Sequence, residues 1–171
     1  MDPWYAPLVL VTVGTDHHPF DRLVGWIDRW APPGRVRLVV QYGTAVPPRT
    51  ADGTPFLTPD EFAELLGTAD AVVCSGGPGA IMEARAAGLR PIVVPRRSSL
   101  GEHVDDHQRA FADFMAARDL VTLADEEPAL CAALDAVARE PRAHRIDGAH
   151  AEAAGIARIG ELIDGLVNGA A

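Results

Sequence analysis

Three glycines stand within four residues where a predicted apolar strand passes into a predicted helix. The stretch is Ser75-Gly76-Gly77-Pro78-Gly79-Ala80. Glycine lets a ligand approach the main chain closely and permits positive φ angles, while the first N–H groups and the dipole of a helix attract an anion. Pro78 suits an early helical position, where its missing N–H would have no partner. The stretch therefore predicts a phosphate site; a tight turn without a ligand is the alternative.

Glu83 follows about one turn into the same helix, too deep to cap its N-terminus. A carboxylate one turn below a phosphate site can reach the two hydroxyls of an attached ribose. The alternative is a solvent-facing glutamate paired with Arg85 or Arg90. The glycine stretch matches neither G-x-G-x-x-G nor the Walker pattern, which disfavours dinucleotide binding and nucleoside-triphosphate hydrolysis.

The elements that must position these residues alternate along the chain. Apolar runs predict strands at Leu8–Val13, Val36–Val40, Ala71–Cys74, Pro91–Val94 and Leu120–Leu123. Periodicity and capping signals predict helices at Pro19–Trp30, from Thr58 or Asp60 to Leu66, at Pro78–Ala87 with Gly88 as its cap, at His103–Arg118 and at Pro128–Val137. Gln41–Pro59 is interpreted as loop with a short strand near Phe56. The alternation predicts an α/β fold, a doubly wound, Rossmann-like parallel sheet.

Ligands of such sheets bind at the carboxyl ends of the strands. Four segments follow strand ends and are therefore expected to converge on one edge: Gly14–Phe20, Gln41–Gly43, Cys74–Gly79 and Arg96–His107. A final helix is predicted at about 147–167, with an apolar stripe of Ile156, Ile159, Ile163 and Leu166.

Composition narrows the class of protein. The length of 171 residues predicts one domain (1–171, core about 8–138). The net charge of −9 argues against a nucleic-acid partner, because such a partner requires a basic surface. Cys74 and Cys131 lie in apolar surroundings and are interpreted as buried free thiols, as in a reducing cytoplasm. The apolar run near the N-terminus is too short for a signal peptide or a membrane span, so a cytoplasmic protein is expected.

The stretch AVVCSGGPGAIMEARAAGLRPIVVPRRSSLGEHVDDHQ resembles the donor half of glycosyltransferase family 28, whose C-terminal domain binds a UDP-sugar. The pattern runs from an apolar strand through a glycine-rich turn and a glutamate to a G-x-P-I-V-V-P strand and a D-x-Q loop. VTVGTDHHPFDRLV and VVQYGTA are similar to small stand-alone members, including PssE-type subunits of bacterial exopolysaccharide synthesis. The resemblance covers about residues 8–138 and implies a single donor-binding lobe of the GT-B type.

The resemblance also implies roles for individual residues. Glu83 would bind the ribose hydroxyls, and the Ser75–Ala80 turn would hold the diphosphate through Ser75, Gly76, Gly77, Gly79 and Ala80. His103, Asp106, His107 and Gln108 would face the sugar, while Gly14 and Thr15 would close the phosphate side. Family members often carry His where this chain has Ser75, which puts a charge at that position in doubt.

The implied chemistry is transfer of a sugar from a UDP-sugar to an acceptor hydroxyl. The leaving UDP gains negative charge, which N–H groups at a helix start can stabilise, so no metal or other cofactor is expected. Asp105-Asp106 is the pair of residues most similar to a metal-binding D-x-D motif. It is interpreted instead as the solvent-exposed start of a helix. The acceptor hydroxyl needs a base, for which His18 and then His17 are the candidates, with ordinary surface histidines as the alternative. Arg96 and Arg97 could pair with a phosphate or with the carboxylate of a glucuronic acid donor, or could simply be solvated.

One lobe leaves its ligand open to water. The resemblance therefore implies a separate, membrane-anchored acceptor-binding subunit, a lipid-linked sugar acceptor and a peripheral position at the inner face of the membrane. The stripe Ile156–Leu166 could pack on that partner or fold back on its own sheet. Two other functions stay open: a non-catalytic nucleotide-sugar-binding or regulatory subunit, and an epimerase-like lobe.

Overall fold

The computed structural model describes residues 6–31 and 34–146, and it confirms the predicted alternation of strands and helices. The strands are β1 (Leu8–Thr12), β2 (Arg37–Gln41), β3 (Asp52–Thr54), β4 (Ala71–Cys74), β5 (Ile92–Val93) and β6 (Thr122–Leu123). The helices are α1 (Asp21–Trp30), α2 (Pro59–Thr68), α3 (Pro78–Ala86), α4 (His107–Ala116) and α5 (Glu127–Arg139), with 3₁₀ turns at Ser98–Leu100 and Pro141–His144.

The described strands form one parallel sheet in the order β3-β2-β1-β4-β5-β6. The chain starts in the middle, builds outward to β3 and then returns past β1 to build the other half. The order therefore reverses between β1 and β4, which is where an open α/β sheet binds its ligands. The predicted doubly wound, Rossmann-like fold is confirmed.

Both faces of the sheet are covered, which explains why its strands read as continuous apolar runs. Alternate residues of β1 point to opposite sides: Val9 and Val11 pack with α1 and α5, whereas Leu8 and Leu10 pack with α2 and α3. A third cluster joins Cys74 and Val93 to α3 and α4. The glycine turn is thus anchored to a sheet buried on both sides.

Local capping chemistry sets several helix ends. Thr58 and Glu61 form a reciprocal capping box at the start of α2. Of the two predicted capping residues, Thr58 and Asp60, the structure therefore has Thr58 as the N-cap. Gly88 directly follows Ala87, the C-cap of α3, and has a φ of +76°, which confirms it as the glycine at the end of that helix.

Some sequence-based predictions were wrong in position. The short strand predicted near Phe56 is present at Asp52–Thr54, two residues earlier in the chain. The fourth helix begins at His107 and not at His103, because the preceding residues form a 3₁₀ turn and a loop. Cys74 is buried, as expected, whereas Cys131 is only partly buried.

The predicted C-terminal helix at about 147–167, with its Ile156–Leu166 stripe, lies outside the described residues. Within 6–31 and 34–146, no helix combines the length and the apolar character needed to cross a bilayer.

Candidate functional site

The four predicted segments meet at the carboxyl edge of the sheet. Gly14 follows β1 with a φ of +79°, which strongly favours glycine at this position. A Cβ added there would lie 3.5 Å from the Ser75 hydroxyl, so the loops after β1 and β4 are in contact. The side-chain amide of Gln41, at the end of β2, donates to the Gly14 carbonyl over 3.0 Å. These contacts hold the first loop against the glycine turn.

The glycines of the turn are needed for close packing and not for positive φ, which corrects one expectation from the sequence. None of Gly76, Gly77 and Gly79 has a positive φ, and Gly77, which precedes α3, has a φ of −68°. A Cβ added at Gly76 would lie 2.7 Å from the backbone oxygen of Gln108. Gly76 therefore lets the main chain of the turn pack directly against the start of α4.

The start of α3 is open on its other side. No side chain caps this helix, and a Cβ added at Gly79 would meet no described atom within 4 Å. The first N–H groups of a helix have no acceptor inside it, and Pro78 removes one of them. The amides of Gly79 and Ala80 are thus available to an anion, which the helix dipole also favours.

Gln108 brings an unpartnered polar group to the same place. Its side chain is about 94% buried, since its exposed fraction is 6%, and its Oε1 atom has no hydrogen-bond partner among the described residues. Its Nε2 atom lies 4.0 Å from the position that a Cβ on Gly77 would take. A buried acceptor without a partner costs about 1–3 kcal/mol. A ligand that donates a hydrogen bond here would recover that free energy.

Glu83 is exposed one turn below the open helix start. Its carboxylate has no hydrogen-bond or ion-pair partner among the described residues. The two alternative partners are engaged elsewhere: Arg85 donates to the Leu120 carbonyl over 2.6 Å, and Arg90 pairs with Asp119. The alternative of a glutamate neutralised by a neighbouring arginine is therefore wrong.

Asp16 organises the histidines after β1. Its Oδ1 atom accepts from the backbone N–H of His18 over 2.7 Å and lies 2.6 Å from His18 Nδ1. His103 Nε2 is 3.5 Å from the other carboxylate oxygen. Burial pushes the pKa of Asp16 up, but the hydrogen bonds from His18 and the charge of Arg96 outweigh it and hold the pKa below its usual value. His17, in contrast, is largely exposed.

The residues around the start of α4 are joined by hydrogen bonds from main-chain N–H groups to the Asp105 and Asp106 carboxylates. Asp106 Oδ1 accepts from the Ser98 N–H over 2.9 Å, and this bond lowers the pKa of Asp106. Asp105 accepts from the backbone N–H of His107 and contacts its ring. The structure therefore brings His103, His107 and Gln108 to the same edge as the glycine turn, while the Asp106 carboxylate closes the loop.

Arg96 is fully buried, which the sequence did not predict. Its guanidinium donates to the carbonyls of Val13, His18 and Glu102 over 2.7–2.9 Å and lies 4.7 Å from the centroid of the Phe20 ring. Burial lowers its pKa, although Asp16 and Glu102 oppose this effect. Both predictions for Arg96, solvation and pairing with a ligand, are contradicted because its side chain is committed to the loops after β1 and β5.

Arg97 instead donates to the Asp125 carbonyl and to the Glu126 carboxylate over 2.6 and 2.7 Å. Sequence reasoning also missed Arg22 and Glu102, which form a bidentate ion pair over 2.7–2.8 Å beneath the same loops.

Comparison with known proteins places this geometry in a family. The model of the glycosyltransferase family 28 C-terminal domain matches residues 8–159. The UDP-N-acetylglucosamine--N-acetylmuramyl-(pentapeptide) pyrophosphoryl-undecaprenol N-acetylglucosamine transferase of Desulforudis audaxviator (strain MP104C) is 39% identical over 85 residues, which are 48% of this chain and 22% of that protein. The protein of the same name from Azotobacter vinelandii (strain DJ / ATCC BAA-1303) is 32% identical over 110 residues, 63% of this chain and 29% of its own length. The chain thus covers less than a third of these relatives.

Solved structures agree on the fold. The calicheamicin glycosyltransferase CalG4 has a TM-score of 0.61 at 19% identity, over 81% of this chain and 35% of that one. Acinetobacter baumannii MurG has a TM-score of 0.52 at 20% identity, over 82% and 46%. The described residues correspond to one lobe of these GT-B enzymes. Because the family model spans most of the sequence, the chain belongs to glycosyltransferase family 28 and matches its C-terminal domain.

Proposed function

We propose that this chain binds a UDP-sugar, with the pyrophosphate at the start of α3 and the ribose hydroxyls on Glu83. The observation that carries the proposal is the uncapped helix start with an unpartnered carboxylate one turn below it. From Ala80 to Glu83 the helix rises about 4.5 Å, a distance suited to the step from phosphate to ribose. The curated relatives are named as transferases that use UDP-N-acetylglucosamine, which supports the same donor class.

Transfer of the sugar would follow from the same arrangement. As the bond to the sugar breaks, the diphosphate gains charge next to the free amides of Gly79 and Ala80, which stabilise it. Ser75 can add a hydroxyl donor, and Gly14 and Thr15 close the phosphate side. The Nδ1 atom of His18 faces Asp16, an arrangement that leaves the other ring nitrogen to take the acceptor's proton. This chemistry needs no metal, so we expect transfer to continue in the presence of EDTA.

The acceptor and its site are proposed from the family. The relatives are named for transfer to a pyrophosphoryl-undecaprenol substrate, and the described residues form one lobe whose carboxyl edge is open. We propose a lipid-linked sugar acceptor held by a membrane-anchored partner subunit, with this chain at the inner, cytoplasmic face of the membrane. By resemblance to PssE-type subunits, the pathway would be exopolysaccharide synthesis.

The donor site is tested by titration calorimetry of the chain with UDP and with a panel of UDP-sugars. Glu83→Gln removes the charge but keeps the shape, and hydrogen bonds to a charged group contribute about 1.5–3 kcal/mol. We expect UDP to bind the variant roughly tenfold to a hundredfold more weakly. Glu140→Gln is the matched control, because Glu140 is also an exposed glutamate but ends α5 at the opposite edge of the sheet. Equal affinities in wild type and Glu83→Gln would refute the site.

Turnover is tested with the partner subunit, a UDP-sugar and a polyprenyl-linked acceptor. Loss of a general base lowers the rate by about 10²–10⁴-fold, so His18→Ala should show such a loss with an unchanged UDP affinity. His17→Ala is the control for the neighbouring exposed ring. Binding of UDP-sugar without any turnover in the complex would instead identify a non-catalytic nucleotide-sugar-binding subunit.

A further inference from the structure

A second group of side chains at the same edge has the chemistry of a metal site. Four of the six histidines in the sequence follow β1 or β5: His17, His18 and His103 lie in the loops, and His107 is the first residue of α4. In the second loop, the spacing H-x-D-x-H places the nitrogens of His103 and His107 and an Asp105 oxygen within 4.8 Å of one another. The Nδ1 atoms of both rings face the same oxygen: His103 at 3.5 Å, and His107 in direct contact.

The outer surroundings of this trio also suit a metal. A histidine that ligates a metal commonly donates its other ring N–H to a carboxylate, which fixes the tautomer and the ring orientation. His103 is close to this arrangement, because its Nε2 atom lies 3.5 Å from Asp16 Oδ2. Its Nδ1 atom faces the Asp105 carboxylate at 3.5 Å and accepts the Asp105 backbone N–H over 3.4 Å, a hydrogen bond that a bound ion would replace. The His103 side chain is only 10% exposed, so its orientation is set by its surroundings.

We propose that His103, Asp105 and His107 bind a Zn²⁺ ion, with Asp16 orienting His103 from behind. Two imidazoles and one carboxylate are ligands that zinc accepts, whereas Mg²⁺ and Ca²⁺ prefer oxygen alone. Ligand atoms of a tetrahedral zinc ion stand about 3.3 Å apart, so the His107–Asp105 contact must widen and the two rings must approach each other, by distances on the order of 1 Å. Asp105 and His107 are both 57% exposed and have room to make that movement. The fourth position faces solvent.

The neighbouring trio Asp16, His17 and His18 is the weaker candidate. One oxygen of Asp16 lies 2.6 Å from His18 within the trio, but the other lies 3.5 Å from His103 and is assigned here to orienting that ring. The third member, His17, has a side chain that is 82% exposed and lies 3.9 Å from Asp16. The two trios therefore provide a matched pair of loops, one proposed to bind zinc and one not.

Zinc at this site would change the carboxyl edge of the sheet, where we propose that the donor binds. Gln108 follows His107 directly and packs its main chain against Gly76. A bound ion would fix the loop before α4 and withdraw both of its imidazoles from the sugar. Zinc is therefore expected to inhibit transfer at concentrations that fill the site. The metal site itself stands independently of the donor proposal, because its test uses the ion alone.

The experiment is titration calorimetry of the full chain with ZnCl₂ after removal of bound metal, alongside MgCl₂ as the comparison ion. We expect one zinc ion per chain and no response to Mg²⁺. His103→Gln combined with His107→Gln should weaken zinc binding at least tenfold, whereas the matched pair His17→Gln with His18→Gln should change it by less than about twofold. Equal loss in both pairs, or no loss in the first, would overturn the proposal.

Two further measurements keep the test decisive. Asp105→Asn alone should also weaken binding, and melting curves of each variant identify any that fail to fold. Cys131 is partly exposed and is the competing ligand outside the loops. Co²⁺ in place of zinc should give weak visible bands without thiolate charge-transfer absorption, and Cys131→Ser should bind zinc as wild type does. A strong thiolate band that Cys131→Ser abolishes would refute the assignment.

Discussion

Replacing Gly76 with alanine tests how the glycine turn is held. The added Cβ would lie 2.7 Å from the Gln108 backbone oxygen, 3.0 Å from its Cβ and 3.1 Å from its carbonyl carbon. Two of these three atoms belong to the main chain, so the start of α4 or the turn itself must move. Overpacking of this kind costs about 1–3 kcal/mol. For a domain of this size the melting temperature should fall by roughly 2–4 °C per kcal/mol, or about 2–12 °C.

Gly79→Ala is the matched control, because the same methyl group meets no described atom within 4 Å and the φ angle is not positive. Alanine is favoured over glycine in a helix by up to about 1 kcal/mol, so this variant should melt at the same temperature or slightly higher. Thermal melting followed by circular dichroism, checked by urea unfolding, measures both variants. Equal melting temperatures for Gly76→Ala and Gly79→Ala would refute the packing of the turn against Gln108.

Three further predictions concern buried polar groups. Arg96→Met should destabilise the fold by about 3 kcal/mol or more in urea unfolding, because it leaves two buried carbonyls and one part-buried carbonyl without this donor; Arg97→Met should cost far less. Gln108→Leu should leave stability unchanged or raise it by up to about 3 kcal/mol, since it removes a buried acceptor that has no partner among the described residues, yet weaken UDP-sugar binding in calorimetry. Burial raises the pKa of Asp28, but hydrogen bonds from Arg49 and Thr50 outweigh it and lower the pKa below 3.8. Its stabilisation is therefore present above that pH and lost as the pH falls through the folded-state value, so wild type and Asp28→Asn should converge in stability in acid and differ at pH 7.

The sequence predicted the sheet and the meeting of four loops at its carboxyl edge well, because both depend on short-range patterns. Valine-rich runs such as β1 mark strands that are buried on both faces, and the glycine turn lies directly between such a strand and a helix. Once the strands were assigned, the rule that ligands bind at their carboxyl ends placed the four loops together without knowledge of any contact.

The errors came from interactions that a linear pattern does not show. Arg96 follows a strand and looks like a surface residue; its burial depends on carbonyls that distant segments bring to it. The fourth helix starts four residues late because the Asp105 side chain bonds to the His107 N–H, which offers the backbone an alternative to another helical turn. The role of the glycines was misjudged for the same reason, since the neighbour of Gly76 is 32 residues away.

The guanidinium of Arg96 links two stretches of chain that are more than seventy residues apart, the one after β1 and the one after β5. His17 and His18 belong to the first of these stretches, while His103 and His107 belong to the second or its junction with α4. A substitution in either stretch should therefore alter the structure of the other, and the changes in unfolding free energy of double variants across the two stretches should deviate from additivity. If the proposed sugar nucleotide binds at this edge, the Arg96 hydrogen bonds hold both loops in place beforehand, so little of its binding free energy would be lost to ordering them.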